Sequence, residues 1–234
     1  PVAAIYSTFL QRAYDQIIHD VGVQCLPVVF CLDRAGLVGA DGPTHHGVFD
    51  LTYLGAVPNF IVSARRNGDD LKDLLATALA QRERPFAIRY PKTPCGAFTP
   101  GREGTVLPIG SWEVLRSGER ICLLAVGAMV EVCEKAAALL ESSGRRVGLI
   151  NCRFVKPLDR SMLAELRSRY GTLVTVEENV INGGFGSAVS EALSETDGGQ
   201  PTLVHLAVPD RFVTHGSRNE LLDEVGLSPA RIAA

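Results

Sequence analysis

The sequence predicts an α/β fold of two domains, each with a mostly parallel sheet flanked by helices. Short apolar runs alternate with amphipathic helical stretches along the 234 residues, as in parallel strands joined by crossover helices. The stretch 91–110, with four Pro and four Gly, interrupts this alternation and indicates a loop. We therefore expect a first domain at residues 1–97, a linker at 98–110 and a second domain at 111–234.

The first domain opens with a predicted strand, VAAIY. Apolar residues then recur at the i, i+4 spacing of an amphipathic helix from Phe9, which Ser7 or Thr8 can cap and Gly22 can end. Later elements are predicted strands at 27–32, 59–64 and 86–90 and a helix at 69–81. A domain that opens on an unprotected core strand favours a fragment of a longer protein.

The second domain repeats the alternation. Its predicted strands are 121–126, 146–151, 172–178 and 202–208, and its predicted helices are 129–143, 159–170, 184–193 and 217–225. This order again favours a parallel sheet. With 46% hydrophobic residues, the chain can bury one large core or two ordinary ones.

Charge and cysteine content exclude several classes of function. A formal net charge of −3 and a sequence pI near 6.0 give no broad basic surface, so nucleic acid and anionic membranes are not expected partners. The six Cys form no CxxC pair, which argues against zinc and suits a reducing cytoplasm. No apolar run approaches the ~20 residues of a membrane span. The interpretation is a cytoplasmic protein without a metal site of its own.

The loop 33–50, DRAGLVGADGPTHHGVFD, is the strongest candidate for a functional site. It follows the apolar run PVVFCL, and open α/β sheets bind ligands beyond the carboxyl ends of their parallel strands. His45 and His46 can exchange protons near neutral pH, and Asp41 can orient an imidazole or bind a hydroxyl. In the structural alternative, Arg34 and Asp41 are turn or capping residues, and both His form hydrogen bonds with the backbone.

Four residues outside this loop are predicted to face the same crevice. Tyr6 ends the first strand, and Phe9 and Arg12 lie in the first turn of the next helix, whose amino terminus attracts anions. Arg89 ends the strand FAIRY and can hold a phosphate with its planar guanidinium. From the residues alone, three structural alternatives stay open: Phe9 in the core, Arg12 in solvent and Arg89 on the surface, paired with an acid.

The second domain carries a weaker motif, GGFG at residues 183–186. Its spacing differs from the GxGxxG of dinucleotide-binding folds, and no acid ends a strand about 20 residues further on. We interpret these Gly as positions of close approach between helix and strand. His205 is interpreted as a packed strand residue, while Arg211 and His215 stay unassigned.

Several motifs together resemble one enzyme family. They are YSTFLQRAYDQIIHDV, DRAGLVGADGPTHHGVFDLTYL, AIRYP, FVKPLD, VTVEENVINGGFGSAV and PDRFVTHGSRNELL. Over essentially the whole chain they resemble the carboxyl-terminal part of the 1-deoxy-D-xylulose 5-phosphate synthases, thiamine diphosphate enzymes of the transketolase superfamily. The resemblance implies part of a thiamine pyrimidine-binding domain, followed by a transketolase carboxyl-terminal domain. It also implies condensation of pyruvate with D-glyceraldehyde 3-phosphate, releasing CO2, for isoprenoid, thiamine and pyridoxal synthesis.

The resemblance assigns roles at the cofactor and at the reacting end of the acceptor. It implies that Phe9 stacks on the aminopyrimidine of thiamine diphosphate and that Arg12 lies beside it. It places Asp41 and His45 near the reacting end of the acceptor. His45 is the expected catalytic residue, and His46 is the less favoured of the pair.

The resemblance also assigns the acceptor phosphate, to Tyr6, Arg34 and Arg89. The sequence departs from the family just after this last residue, where PKT replaces the more common PRG. This departure puts a second basic contact with the acceptor phosphate, from Lys92, in doubt.

The resemblance implies that part of the enzyme lies outside this chain. The main binding groups for the diphosphate and Mg²⁺, and the Glu that activates the aminopyrimidine, belong in the family to an amino-terminal part that this chain lacks. The chain alone is then expected to be inactive, its partner to be that amino-terminal part, and the complete enzyme to be a homodimer. Two alternatives stay open: a 2-oxoacid dehydrogenase β subunit with a lipoyl acceptor, and a non-catalytic assembly module.

Overall fold

The computed structural model describes residues 1–94, 96–195 and 198–234, which form two five-stranded sheets. In spatial order the first sheet contains β1 (Val2–Tyr6), β2 (Val29–Asp33), β4 (Phe86–Arg89), β3 (Ile61–Ala64) and β8 (Phe154–Lys156). All neighbours pair in parallel except β8, which is antiparallel to β3. The predicted parallel sheet of the first domain is confirmed.

The second sheet is also mostly parallel. Its spatial order is β10 (Thr202–Val208), β9 (Thr172–Val180), β6 (Ile121–Ala125), β7 (Gly148–Asn151) and β5 (Glu113–Arg116), with β5 antiparallel to β7. The strands β5 and β8 were not predicted. Both are short and leave no long apolar run in the sequence.

After residue 49, the described residues form seven α-helices. They are α3 (Asp50–Ala56), α4 (Gly68–Ala80), α5 (Met129–Ser142), α6 (Arg160–Arg169), α7 (Phe185–Ser194), α8 (Arg218–Glu224) and α9 (Pro229–Ala233). Side chains of Asn67, Asp159 and Ser217 accept backbone N–H bonds and cap α4, α6 and α8, as short polar residues do at helix starts. In the described ranges, no helix is long and apolar enough to cross a membrane.

The helical segment after β1 is less regular than its apolar spacing predicts. It consists of α1 (Ser7–Leu10), a 3₁₀ turn (Gln11–Ala13), α2 (Tyr14–Gln16) and a π-helical stretch (Ile17–Gly22). Changes of helical type of this kind often occur at functional sites. The segment supplies two of the candidate site residues.

The predicted cap of this segment is wrong. Tyr6 occupies the N-cap position and makes no side-chain cap bond. The hydroxyl of Ser7 is buried without a hydrogen-bond partner, and the hydroxyl of Thr8 donates to the carbonyl of Thr44. Both side chains therefore face the loop that follows β2 and do not close the helix end.

The two halves of the chain interlock through β8. This strand comes from the second half of the sequence but completes the first sheet, where Phe154 is fully buried against Phe86 at a ring-centroid distance of 6.2 Å. The indole N–H of Trp112 donates to the carbonyl of Phe154 at 2.8 Å. The first sheet thus depends on residues far beyond the linker.

The predicted linker lies against α4. Asp69 accepts hydrogen bonds from the N–H and the hydroxyl of Thr99 at 2.9 and 2.8 Å. Asp73 accepts from the Arg102 guanidinium at 2.9 Å and from the N–H of Thr105 at 2.7 Å. The proline-rich stretch is therefore attached along the helix surface.

Candidate active site

An aromatic and cationic stack lies at the carboxyl end of β1. The rings of Tyr6 and Phe9 stack at a centroid distance of 5.0 Å and an interplanar angle of 10°. The guanidinium of Arg34 lies 3.8 Å from the Tyr6 ring centroid, and that of Arg12 lies 5.6 Å from the Phe9 centroid. Cations attract the electron-rich faces of such rings. The structure thus brings together four residues that the sequence had singled out.

Phe9 is not a core residue. It is 36% exposed, whereas Leu10, the next residue, is 3% exposed. The Phe9 ring also meets His45 edge to face at a centroid distance of 5.6 Å. An accessible aromatic face between a cation and an imidazole is suited to a flat, polar ring of a ligand.

Arg34 is held by its neighbour in sequence. Its backbone is in the left-handed region, with φ of +55°, and its Nη1 donates to both carboxylate oxygens of Asp33 at 3.0 and 3.1 Å. Asp33 pairs in register with Tyr6 across β1 and β2, so the guanidinium lies between a carboxylate and an aromatic ring. Asp33 was not among the predicted residues, although a carboxylate directly before a candidate Arg was a usable signal.

Residues 33–50, which we call the acceptor loop, are closed at their base by a pair of Gly. The N–H of Gly36 donates to the carbonyl of Gly47 at 2.7 Å, and the reverse bond measures 2.9 Å. A 3₁₀ turn at Gly39–Asp41 follows within the loop. His45 shares a hydrogen bond of 2.9 Å between its Nδ1 and the hydroxyl of Thr44. The loop is thus ordered with little regular structure.

Lys92 lies beside Asp41, with its ammonium 2.7 Å from the carboxylate. This hydrogen bond, and the further charges of Lys92, His45 and Arg34, hold the pKa of Asp41 below its usual value. The structure thus places Lys92 at the acceptor loop, paired with Asp41. Lys92 contacts this exposed carboxylate, and Arg34 and His45 add to the favourable charge around it.

His46 faces away from this group. It is 3% exposed, its Nδ1 accepts from the N–H of Val38 at 3.1 Å, and its Nε2 lies 3.2 Å from the carbonyl of Thr214. This pattern corresponds to the neutral form protonated on Nε2. His46 therefore attaches the acceptor loop to the second domain, whereas its neighbour His45 lies beside the Phe9 ring.

Arg89 is buried and fully engaged within the fold. It is 5% exposed, its Nε donates to Asp50 at 2.9 Å, and its Nη2 donates to the carbonyls of Gly47 and Glu178, both at 3.1 Å. This placement favours an anchoring role for Arg89 over the phosphate contact that the resemblance suggested.

The GGFG motif brings helix and strand close together, as predicted. A Cβ on Gly184 would lie 2.4 Å from a carboxylate oxygen of Glu177, and one on Gly186 would lie 2.4 Å from His205. Both oxygens of Glu177 accept N–H bonds at the start of α7, from Phe185 and Gly186, each at 2.8 Å. Burial raises the pKa of Glu177 to about 7, although these two bonds oppose the shift.

His205 does not belong to the candidate site. It is hydrogen-bonded to Thr175 at 2.8 Å and Ser190 at 3.0 Å, and burial lowers its pKa. Arg211 pairs with Glu224 on the surface at 2.7 Å. In the part of the chain that the structure describes, no group of three or more His, Cys, Asp or Glu could hold a metal ion.

Two family models match the chain. One is described as "Transketolase, pyrimidine binding domain" and matches residues 1–96; the other is described as "Transketolase, C-terminal domain" and matches residues 110–232. Among curated relatives, 1-deoxy-D-xylulose-5-phosphate synthases from Gloeobacter violaceus and Aquifex aeolicus are 51% and 52% identical, over 100% and 97% of this chain. The chain spans 36% of the length of each.

Solved transketolase structures are similar to this chain in fold. One described as "Split gene transketolase, inactive beta4 tetramer" has a TM-score of 0.86 and 26% identity, covering 100% of this chain and 73% of that chain. A transketolase mutant from Pichia stipitis has a TM-score of 0.77 and 17% identity, covering 99% of this chain and 32% of that chain.

Proposed function

Because the chain belongs to the transketolase family, we propose that it is the carboxyl-terminal part of a 1-deoxy-D-xylulose-5-phosphate synthase. The complete enzyme condenses pyruvate with D-glyceraldehyde 3-phosphate and releases CO2. The observation that carries this proposal is the convergence of Arg34, Asp41, His45 and Lys92 beside the stacked rings of Tyr6 and Phe9. Relatives that share about half of this sequence carry that enzyme's name.

The arrangement suits an acceptor that has a phosphate at one end and an aldehyde at the other. Arg34 and Lys92 supply two cations, and charge-assisted bonds to phosphate are the strong ones. In the described part of the chain, Nη1 is the Arg34 nitrogen that a protein carboxylate engages, which leaves donors for a ligand. The Tyr6 ring packs against the Arg34 guanidinium. We therefore assign the phosphate to Tyr6, Arg34 and Lys92 and leave Arg89 out of this set.

His45 and Asp41 act at the reacting end of the acceptor. As the aldehyde oxygen becomes a hydroxyl it needs a proton, and an imidazole can donate one near neutral pH. The bond between Nδ1 and the Thr44 hydroxyl fixes the ring and leaves Nε2 for the acceptor. Asp41, whose carboxylate is paired with Lys92, accepts a hydrogen bond from a substrate hydroxyl.

The cofactor fits one side of this site. Phe9 and Arg12 would hold the aminopyrimidine of thiamine diphosphate, since the Phe9 ring is accessible and flanked by polar groups. When bound, the cofactor supplies the electron sink for the pyruvate half of the reaction. The diphosphate and Mg²⁺ groups are assigned to the part of the enzyme that this chain does not span, because the described residues hold no acidic metal cluster.

The complete enzyme is proposed to be a homodimer in the cytoplasm. One similar structure is described as an "inactive beta4 tetramer", which supports an oligomer. The described Cys are free, with Cys122, Cys133 and Cys152 buried. This pattern agrees with a reducing compartment.

The test joins this chain to the part of the Gloeobacter violaceus synthase that it does not span. The joined protein is expected to form 1-deoxy-D-xylulose 5-phosphate from pyruvate and D-glyceraldehyde 3-phosphate and to bind thiamine diphosphate with Mg²⁺ in calorimetry. The 234-residue chain alone is expected to do neither. Micromolar cofactor binding by the chain alone would contradict our division of the site. Reduction of lipoamide without consumption of the aldehyde would favour the dehydrogenase alternative.

The phosphate assignment predicts a selective change in the Michaelis constants of the joined enzyme. Arg34→Ala and Lys92→Ala should each raise the constant for glyceraldehyde 3-phosphate by about tenfold to a hundredfold, the usual effect of losing a charge-assisted contact. The constant for pyruvate should stay nearly unchanged. Steady-state kinetics check this, with Arg211→Ala as the control because its ion pair lies outside the cluster. Equal effects on both substrates would mean that these cations shape the site generally.

A further inference from the structure

Three consecutive residues of β9 hold the acceptor loop and the start of α3. Glu178 bonds to Leu37, near the start of the loop. Asn179 accepts from the N–H of Leu51 with its Oδ1 at 3.2 Å. The N–H of Val180 donates to the carbonyl of Val48 at 2.7 Å. These contacts join the carboxyl end of one sheet to the loop of the other.

Glu178 makes the contact nearest to the site residues. Its Oε1 accepts from the N–H of Leu37 at 2.6 Å, and its Oε2 accepts from the Arg218 guanidinium at 2.5 Å. The residue is 2% exposed. A Cβ on Gly36, whose φ is +82°, would lie 2.4 Å from the Glu178 carboxyl carbon. The carboxylate therefore rests directly on the loop backbone, and Gly is required there.

The acceptor loop has some bonds of its own, including those from the N–H groups of His45 and His46 to the carbonyl of Gly42. The Gly36 and Gly47 pair closes its base, and the turn at Gly39–Asp41 is its regular element. Asp41 and His45 lie beyond that base. Because ordering a residue costs about 1–2 kcal/mol of conformational entropy, a loop of this length needs support from outside. The support comes from the second domain at Leu37 and His46 and from the first domain at Thr44 and Gly47.

We propose that Glu178 is a positioning residue for the acceptor site, and that the second domain serves to hold the acceptor loop in its working conformation. Glu178 fixes the start of the loop, and Arg218 neutralises and orients its buried carboxylate. The kinetic part of this inference rests on the proposed function. The structural part does not, because it concerns contacts within this chain.

Hydrogen exchange on the 234-residue chain tests the structural part. Glu178→Gln keeps the size of the side chain but offers one acceptor oxygen to two donors. The amides of Gly36, Leu37, Val38 and Gly47 should then exchange about tenfold to a hundredfold faster, as expected when a buried bond to a charged group is lost. Amides of β6 should keep their rates.

Glu177→Gln is the matched control. Glu177 is adjacent, 1% exposed, and also serves two N–H donors, but both lie in α7. This variant should leave exchange in the acceptor loop unchanged. The inference is overturned if Glu178→Gln leaves the loop amides at the rates of the unsubstituted chain, or if Glu177→Gln opens the loop equally.

The joined enzyme tests the kinetic part. Glu178→Gln should raise the Michaelis constant for glyceraldehyde 3-phosphate by about tenfold and that for pyruvate by less than about twofold, since only the acceptor half loses its geometry. A purely structural defect would lower the active fraction and leave both constants unchanged, and that result would overturn the positioning role. If the unsubstituted joined enzyme forms no product, the proposed function fails, while the exchange experiment still decides whether Glu178 holds the loop.

Discussion

His45→Ala in the joined enzyme is expected to slow turnover by about a hundredfold to ten-thousandfold, the range for losing a general acid. The ring lies beside Phe9 and near Asp41, where the aldehyde end of the acceptor is assigned. Its removal takes away a proton donor and leaves Arg34 and the phosphate contacts in place. The Michaelis constants should therefore change little while the turnover number falls.

The two half-reactions can be measured separately. A rapid-quench measurement of the pyruvate half-reaction should show a rate close to that of the unsubstituted enzyme. Failure of that half-reaction would mean that pyruvate also reaches the acceptor loop.

His46→Ala provides the control for this assignment. His46 is buried and bonded to Val38 and Thr214, so its loss should lower stability and reduce turnover per folded molecule less than the loss of its neighbour. If His46→Ala lost more turnover per folded molecule than His45→Ala, His46 would be the general acid in place of His45.

Sequence reasoning brought out the candidate site because its position follows from topology. Parallel strands that end at one sheet edge bring their loops together, and the acceptor loop follows the strand now seen as β2. Tyr6, Phe9 and Arg34 lie close to the ends of β1 and β2 and meet as expected. The close approach at Gly184 and Gly186 was likewise visible in the spacing of small residues before a helix.

The choice between cations needed the three-dimensional structure. Arg89 ends a strand in the right direction, but its buried partner Asp50 lies 39 positions earlier, and no local pattern reveals that pair. Lys92 follows the same strand by three residues and reaches Asp41, 51 positions away. Both pairings depend on how the acceptor loop packs against the end of β4. Contacts from the second domain help to hold the loop in that position.

The short antiparallel strands were missed for a different reason. β8 has three residues and β5 has four, so neither shows a hydrophobic period long enough to identify it. Their places are determined by the interlocking of the two sheets. For the same reason, support of the acceptor loop by Glu178 was hidden in a segment that the sequence showed only as the end of a buried strand.

Arg89→Ala is expected to lower the free energy of unfolding of the 234-residue chain by about 3–5 kcal/mol, the cost of removing one partner from a buried ion pair. The carboxylate of Asp50 would stay buried with no compensating charge, and its Oδ1 has no hydrogen-bond partner even in the intact protein. The carbonyls of Gly47 and Glu178 would also lose their donor. Urea unfolding followed by fluorescence of Trp112, the single Trp, measures the loss.

A double substitution separates this role from a phosphate contact. Arg89→Met with Asp50→Leu removes both charges and should recover much of the lost stability, because well-packed apolar residues often replace buried ion pairs without loss. If Arg89→Ala cost less than about 1 kcal/mol and instead raised the Michaelis constant for glyceraldehyde 3-phosphate, the buried pair would not be what holds this residue. Arg89 would then belong with Arg34 in the phosphate site. With the contacts to Asp50, Gly47 and Glu178, we expect the opposite: Arg89 holds the base of the acceptor loop, and the exposed Lys92 meets the substrate.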